Sequence, residues 1–419
     1  MDPVTIALLL GGSIIVIGFL GNYFLEKTGI PDVLSLIILG MAIGPVTGLV
    51  DFNAILNLAP YLAALALIFI LFDGGMSMNI YRIFSESPRA TVLALLSFSF
   101  NVVAITMFMW CFVIPNFPFL YSLLFGTIYG GSCSIVVISL MSKIKPSEKT
   151  MTILSLESTI TDILQIVFSL IIIEVILTGK IDITTISQSI ASRFSTGIVL
   201  GAAFGLIWLS ILKRVKKATY SYMLTLAVVI LAYAFTEFLG GSGALCSLLF
   251  GVMLGNEREI YKILRIEKPS NSAVDAGLKR FESEVAFLLR TFFFVFIGLM
   301  VSIRDLNTVI IGVILSLLIL LIRFGSVTLA TLHSNELVKE RPLMVIMLAR
   351  GLAAAVLATL PLQYSTAEAI QKYGDPAKIF SEISYLYINL AVLIILSTAI
   401  IATVGIPLLR WRAKRNIKN

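Results

Sequence analysis

Apolar residues in this chain fall in long unbroken runs, not on one face of a helix or at alternate positions of a strand. Pro3 to Leu25, Ala90 to Ser142 and Ile383 to Leu409 contain no Asp, Glu, Lys or Arg. Because about 20 apolar residues cross a bilayer as a helix, the middle run is long enough for two crossings, with Pro115-Asn116-Phe117-Pro118 as the turn between them. Reading each run against its turn signals predicts thirteen spans, near 5–22, 32–49, 59–79, 89–113, 119–142, 150–178, 194–212, 219–239, 241–255, 283–303, 307–331, 343–364 and 383–409. The expected architecture is an all-α polytopic membrane protein forming one membrane domain over residues 1–419. Spans 1–6 run over about 5–178, a linking span 7 lies near 194–212, spans 8–13 run over about 219–409, and a short tail covers 410–419.

Composition sharpens this picture. Hydrophobic residues make up 58% of the chain and charged residues 13%, against about 25% charged in a soluble domain. The formal charge of +7 raises the possibility of a nucleic-acid partner, but the positions of the basic residues argue against it. Counted on alternate sides of the thirteen spans, 23 Lys and Arg fall on one side and five on the other. Positive loops stay inside, so the first side is cytoplasmic, as is the C-terminus, and the N-terminus lies outside. The expectation is a multi-pass protein of the cell membrane with the lipid bilayer as its surroundings and no nucleic acid.

Trp110, Trp208 and Trp411 fall near span ends, where amphipathic rings prefer to sit. Cys111, Cys133 and Cys246 lie in apolar runs and are odd in number, which speaks against a disulfide framework. The first span lacks a basic leader and reads as a retained helix. No nucleotide-binding regulatory domain is expected after the last span.

Away from the first residues of the predicted spans lie the charges Asp73, Glu157, Asp162, Glu174, Glu237, Arg290, Arg323 and Arg350. Each costs about 2.5–3.5 kcal/mol at mid-bilayer, so each calls for a partner, water or neutralisation. Glu174 and Glu237 sit near outer span ends, and Arg323 is expected to snorkel towards the cytoplasmic end of span eleven. Asp162 lies deepest, roughly 18 Å into span six. Around it runs Glu157-Ser158-Thr159-Ile160-Thr161-Asp162, which helical spacing sorts into two columns, Ser158 under Asp162 and Glu157 under Thr161. Hydroxyl and carboxylate oxygens on one face suit a hard alkali cation. The same carboxylate can take a proton instead, so cation and proton compete.

Tyr129-Gly130-Gly131-Ser132-Cys133-Ser134 interrupts span five, because paired glycines weaken a helix. Ala349-Arg350-Gly351 stands at the corresponding place in span twelve, seven spans later. Two interrupted segments at matching positions in two halves point to a transporter's binding site, within six-helix repeats of inverted topology.

At these residues the chain resembles the cation:proton antiporter superfamily, in particular its sodium (or potassium)/proton exchanger branch. Gly29-Ile30-Pro31-Asp32 with Leu39-Gly40 and Ile43-Gly44-Pro45 is similar to that family's second helix, and Leu71-Phe72-Asp73-Gly74-Gly75-Met76 to its third. Glu157-Ser158 with Thr161-Asp162 resembles the Glu-Ser-x-x-Asn-Asp signature of its sixth helix. Arg290 with Phe294-Val295-Phe296-Ile297-Gly298 resembles the tenth, and Arg350-Gly351 the twelfth. The family's Thr-Asp-Pro in the fifth helix corresponds here to Ser132-Cys133-Ser134, and its Asn-Asp pair to Thr161-Asp162.

The resemblance implies a secondary antiporter exchanging a monovalent cation, Na+ or K+, for protons, with interrupted helices 5 and 12 crossing. Asp162 would bind either ion. Ser132, Ser158 and Thr161 would add oxygens, Cys133 would occupy the crossing, and Glu157 with Arg350 would form a structural ion pair. Asp73 and Arg290 are secondary candidates, and a homodimer is implied by the family alone. A cation channel or a sodium-coupled symporter is the alternative, but no filter sequence is visible and the site offers oxygens for a small ion. No cofactor and no enzymatic activity are expected, since the single histidine, His333, has no metal-ligand or nucleophile partner in the pattern.

Overall fold

The computed structural model describes residues 11–21, 23, 32–46, 52–77, 88–144, 146–178, 183–215, 220–263, 274–301, 305–332 and 334–418. Gly29-Ile30-Pro31 and His333 lie outside the described residues. The described chain is helical, with no β-strand among those residues. This is what a bilayer demands, since a backbone in hydrocarbon must satisfy its own N–H and C=O groups.

In chain order the helices are α1 (Gly11–Gly21), α2 (Asp32–Met41), α3 (Phe52–Ser77), α4 (Pro88–Phe108), α5 (Phe119–Ile128), α6 (Ser134–Ile144), α7 (Glu148–Thr178), α8 (Ile183–Val215) and α9 (Ser221–Phe238). They continue as α10 (Gly243–Gly255), α11 (Glu257–Ile263), α12 (Ala276–Met300), α13 (Leu306–Ala330), α14 (Asn335–Ile346), α15 (Leu352–Gln363), α16 (Ala367–Tyr373) and α17 (Asp375–Lys418). Among the described residues seven helices are long and apolar enough to span a membrane, and six shorter apolar helices accompany them. That agrees with the thirteen apolar runs in the sequence.

The interruptions fall where they are expected. Span five divides into α5 and α6 around Tyr129–Cys133, and span twelve into α14 and α15 around Met347–Gly351. Span seven differs in length: α8 begins at Ile183, well before residue 194.

The chain separates by contact into two compact units that are not its sequence halves. The first comprises Met1–Pro60, Ser87–Leu177 and Thr291–Asn419. In it α17 packs along α13 and α15, and α4 along α5 and α13. An aromatic column of Phe125, Tyr129 and Tyr387 holds α5 to α17, with ring centroids 4.5 Å apart for Phe125 and Tyr129 and 5.1 Å for Phe125 and Tyr387. The outer side of α13 is an apolar stripe of Ile310, Ile314, Leu317, Leu321 and Phe324, the last 60% exposed, a surface suited to lipid. Helices α2 and α12 meet backbone to backbone, since a Cβ on Gly40 would fall 2.1 Å from the Val295 carbonyl oxygen.

The second unit comprises Tyr61–Glu86 and Thr178–Arg290. Its densest packing is α8 against α10. Gly201 makes this close approach possible, because a Cβ there would lie 2.6 Å from the Cys246 carbonyl oxygen. Trp208 is buried in this unit and donates its indole N–H to Thr225 Oγ1 at 3.1 Å. It therefore packs inside the bundle and not in an interfacial belt, where the sequence suggested it. Trp110 is exposed, and the Trp411 side chain lies outside what is described.

Candidate functional site

The site is built by the two breaks in the first unit. Tyr129 ends α5, and the chain runs unwound through Gly130, Gly131, Ser132 and Cys133 before α6 begins at Ser134. The unwound stretch is tied to the other break, where Cys133 N–H donates to the Ala349 carbonyl at 2.9 Å. Gly351 is required at that crossing, because a Cβ there would lie 2.5 Å from the Cys133 sulfur. The Arg350 guanidinium donates through Nη1 to the Gly131 carbonyl, and the Arg350 N–H donates to Thr398 Oγ1 at 3.1 Å. A long-range bond from Asn101 Nδ2 to the Gly130 carbonyl, 3.3 Å, steadies the other side of the loop.

Helix α7 brings Asp162 against the start of α6. Asp162 Oδ2 accepts from Ser134 N–H at 3.0 Å, and Oδ1 accepts from Gln165 Nε2 at 3.2 Å. Both donors are neutral, and Asp162 itself is only partly buried. The end of α6 that faces it is a helix N-terminus, whose unpaired N–H groups favour an anion.

One and a half turns earlier on the same helix, Glu157 is in a different state. It is fully buried and bound at both oxygens by Arg323, Nη1 to Oε1 at 2.7 Å and Nη2 to Oε2 at 2.9 Å. Arg323 is 2% exposed and also donates to the Met344 carbonyl and to Ser97 Oγ. Two sequence expectations are corrected here. Glu157 is paired by Arg323, not by Arg350, and Arg323 points into the bundle and does not snorkel. The physical reason is that a two-pronged guanidinium matched to a carboxylate answers both buried charges at once, which neither bond of Arg350 does.

The hydroxyls predicted for the site tie the unwound loop to α7 on the Glu157 side. Ser132 N–H donates to Thr161 Oγ1 at 3.2 Å, Ser132 Oγ donates to Glu157 Oε1 at 3.2 Å, and Thr161 Oγ1 donates to the Ser158 carbonyl at 3.1 Å. Ser158 Oγ donates back to the Ser155 carbonyl at 3.1 Å. Asp73 and Arg290 belong to the second unit, where they interact electrostatically and Asp73 also accepts a hydrogen bond from the Ser283 side chain.

The model of the family described as "Sodium/hydrogen exchanger, transmembrane" matches residues 13–411. The chain belongs to the sodium/hydrogen exchanger family. Among relatives of this exchanger-family chain, the Na(+)/H(+) antiporter 1 of Methanocaldococcus jannaschii is 26% identical over 358 residues, covering 83% of this chain and 81% of that protein. The K(+)/H(+) antiporter NhaP2 of Shewanella sp. (strain ANA-3) is 28% identical over 270 residues, 61% of this chain. The chain matches about half the length of the NhaP2 relatives, 45% for that one. A solved structure of the sodium proton antiporter MjNhaP1 from M. jannaschii at pH 8 superposes with a TM-score of 0.73, covering 96% of this chain and 97% of the other at 24% identity. It shares the fold.

Within this exchanger-family fold, Gln165, Asn101, Ser97 and the inward role of Arg323 escaped the sequence reading. That reading weighed formal charges inside spans. The signal available for Gln165 and Asn101 was a neutral amide on an otherwise apolar helix, three residues after Asp162 in the case of Gln165.

Proposed function

We propose that this chain is a secondary antiporter exchanging a monovalent cation, Na+ or K+, for a proton, with the two competing at Asp162. The observation that supports this best is the contrast within α7: Glu157 is neutralised by a two-pronged ion pair, while Asp162 is held by two neutral donors beside a broken helix. A carboxylate so placed can exchange a proton for a dehydrated cation without first dismantling an ion pair. Ser132, Thr161 and Ser158 would supply further oxygens directly or through water. Cys133 adds no formal charge at the crossing, which leaves one exchanging carboxylate and a one-for-one, electroneutral cycle. Alternating access, a cell-membrane location with the N-terminus outside, and a homodimer belong to the same reading. All of it sits within a single antiporter domain.

The test is proton flux in proteoliposomes driven by an imposed Na+, K+ or Li+ gradient, with no organic solute present. The expected result is cation-dependent proton movement that disappears in Asp162→Asn. Flux that needs an organic solute, or an undiminished flux in the variant, would overturn the reading.

A further inference from the structure

Gln165 lies one turn beyond Asp162 on α7 and is 2% exposed. A carboxylate only accepts hydrogen bonds, so the amide must turn its NH2 end to Asp162, and Nε2 does donate to Oδ1 at 3.2 Å. The amide oxygen, at the other end of the same group, is buried and has no hydrogen-bond partner among the described residues. Where it faces is set by Gly131. A Cβ built on that glycine would lie 2.9 Å from Gln165 Oε1 and 2.6 Å from the Thr161 carbonyl oxygen. Two oxygens from α7 therefore pack tightly against the Gly131 backbone of the unwound loop, an approach possible only because residue 131 has no side chain. An unsatisfied acceptor is costly in a protein interior. The bond to Asp162 accounts for the NH2 end of the amide and leaves its oxygen end unanswered.

We propose that Gln165 is a selectivity-determining ligand, its amide oxygen entering the coordination shell of the monovalent cation bound at Asp162. This rests on the antiport reading for the identity of the ion, and it adds a residue and a preference. The amide oxygen is neutral. A shell of one carboxylate and neutral oxygens exerts a weaker field than a pair of carboxylates. The weaker field favours K+ over Na+ and Li+.

The test uses the purified full chain and LiCl, NaCl, KCl and RbCl at constant ionic strength. Cation-dependent thermal stabilisation in detergent reads binding, and cation-driven proton flux in proteoliposomes reads KM and turnover. Gln165→Met keeps the length and removes the oxygen. It is expected to raise the KM for K+ about tenfold, which is the scale of one lost polar contact, with a much smaller effect on saturating turnover, and to flatten the K+ over Li+ preference.

Gln165→Glu restores an oxygen of stronger field while losing the donor to Asp162. It should recover cation binding and move the preference towards Li+ and Na+. A residue that merely positions Asp162 through its N–H would give the opposite pattern, with turnover falling for every cation alike and the glutamate variant at least as poor as the methionine one. That pattern, or an unchanged cation series in Gln165→Met, overturns the inference. Absence of cation-driven proton flux in the unmodified protein would overturn the antiport reading instead. The stabilisation series, which needs no turnover, still decides whether Gln165 ligates.

Discussion

Helix α7 carries two carboxylates five residues apart whose surroundings differ in kind. The Glu157 end is closed: both oxygens are taken by Arg323, whose remaining donors reach Met344 and Ser97, so α4, α7, α13 and α14 are joined at one buried point. The Asp162 end is open: a backbone N–H and an amide hold it, and the loop beside it has unwound. Similar chemistry at similar depth thus serves two purposes. A buried charge with a matched partner fixes the helices around it, while a carboxylate held by neutral donors is not committed to one cation. Ser132 and Thr161 tie the unwound loop to α7 on the Glu157 side, so the paired carboxylate and the broken helix are held together.

The largest expected effect comes from removing the open end. Asp162→Asn should reduce cation-driven proton flux to background while changing the melting temperature little, because the amide preserves shape but offers no exchangeable site. Flux persisting at the level of the unmodified protein would mean that the two carboxylates have been assigned the wrong way round.

Breaking the closed end should instead cost stability. Arg323→Met strands Glu157 as an uncompensated buried charge, with an expected loss of about 3–5 kcal/mol, seen as a marked drop in melting temperature in detergent. Combining it with Glu157→Leu should recover most of that loss, because the charge is removed with its partner. If the double variant is no better than the single one, the ion pair is not what holds this end together.

Removing Arg350 should have a smaller effect. It donates to the carbonyl of Gly131 and not to a carboxylate, so Arg350→Met strands a neutral acceptor. A hydrogen bond with one charged partner is worth about 1.5–3 kcal/mol, so the drop in melting temperature should be clearly smaller than for Arg323→Met. A drop of equal size would show that Arg350 carries a second charge pairing that the geometry does not reveal.

The pair Arg323 and Arg350 also shows where sequence reading stops. Hydropathy located the spans because hydrocarbon admits few alternatives to an apolar helix, and the paired glycines at 130 and 131 located the break because they weaken the helix there. Depth along a helix is likewise readable, which is how Asp162 stood out. The direction in which a side chain leaves its helix is not. Arg323 and Arg350 sit on different spans, and which of them meets Glu157 depends on how α7 packs against α13, a contact between residues 166 positions apart. Gln165 was invisible for another reason: it carries no formal charge, and its importance lies in which end of its amide is engaged. The division into two units follows no sequence half and no composition shift, so nothing in the pattern announced it.

The smallest expected effect is a null response, and it tests the comparison most directly. If Glu157 stays paired with Arg323 and only Asp162 exchanges, each half-cycle carries one positive charge and the full cycle carries none. A net charge moved through 100 mV would gain about 2.3 kcal/mol, enough to change the driving force by about 50-fold. A neutral cycle gains nothing, so the initial rate of proton flux should be the same with and without an imposed potential. For a Na+ gradient, the potential can be set with valinomycin, provided K+ is not itself a substrate. Where K+ is a substrate, the measurement becomes the transient current on a solid-supported membrane under symmetrical pH, which should be absent across a range of cation gradients. Currents that scale with the gradient would require a second titrating carboxylate in the cycle. Glu157 would then be the first to examine, by asking whether the currents vanish in Glu157→Gln combined with Arg323→Met, and Asp73 the second.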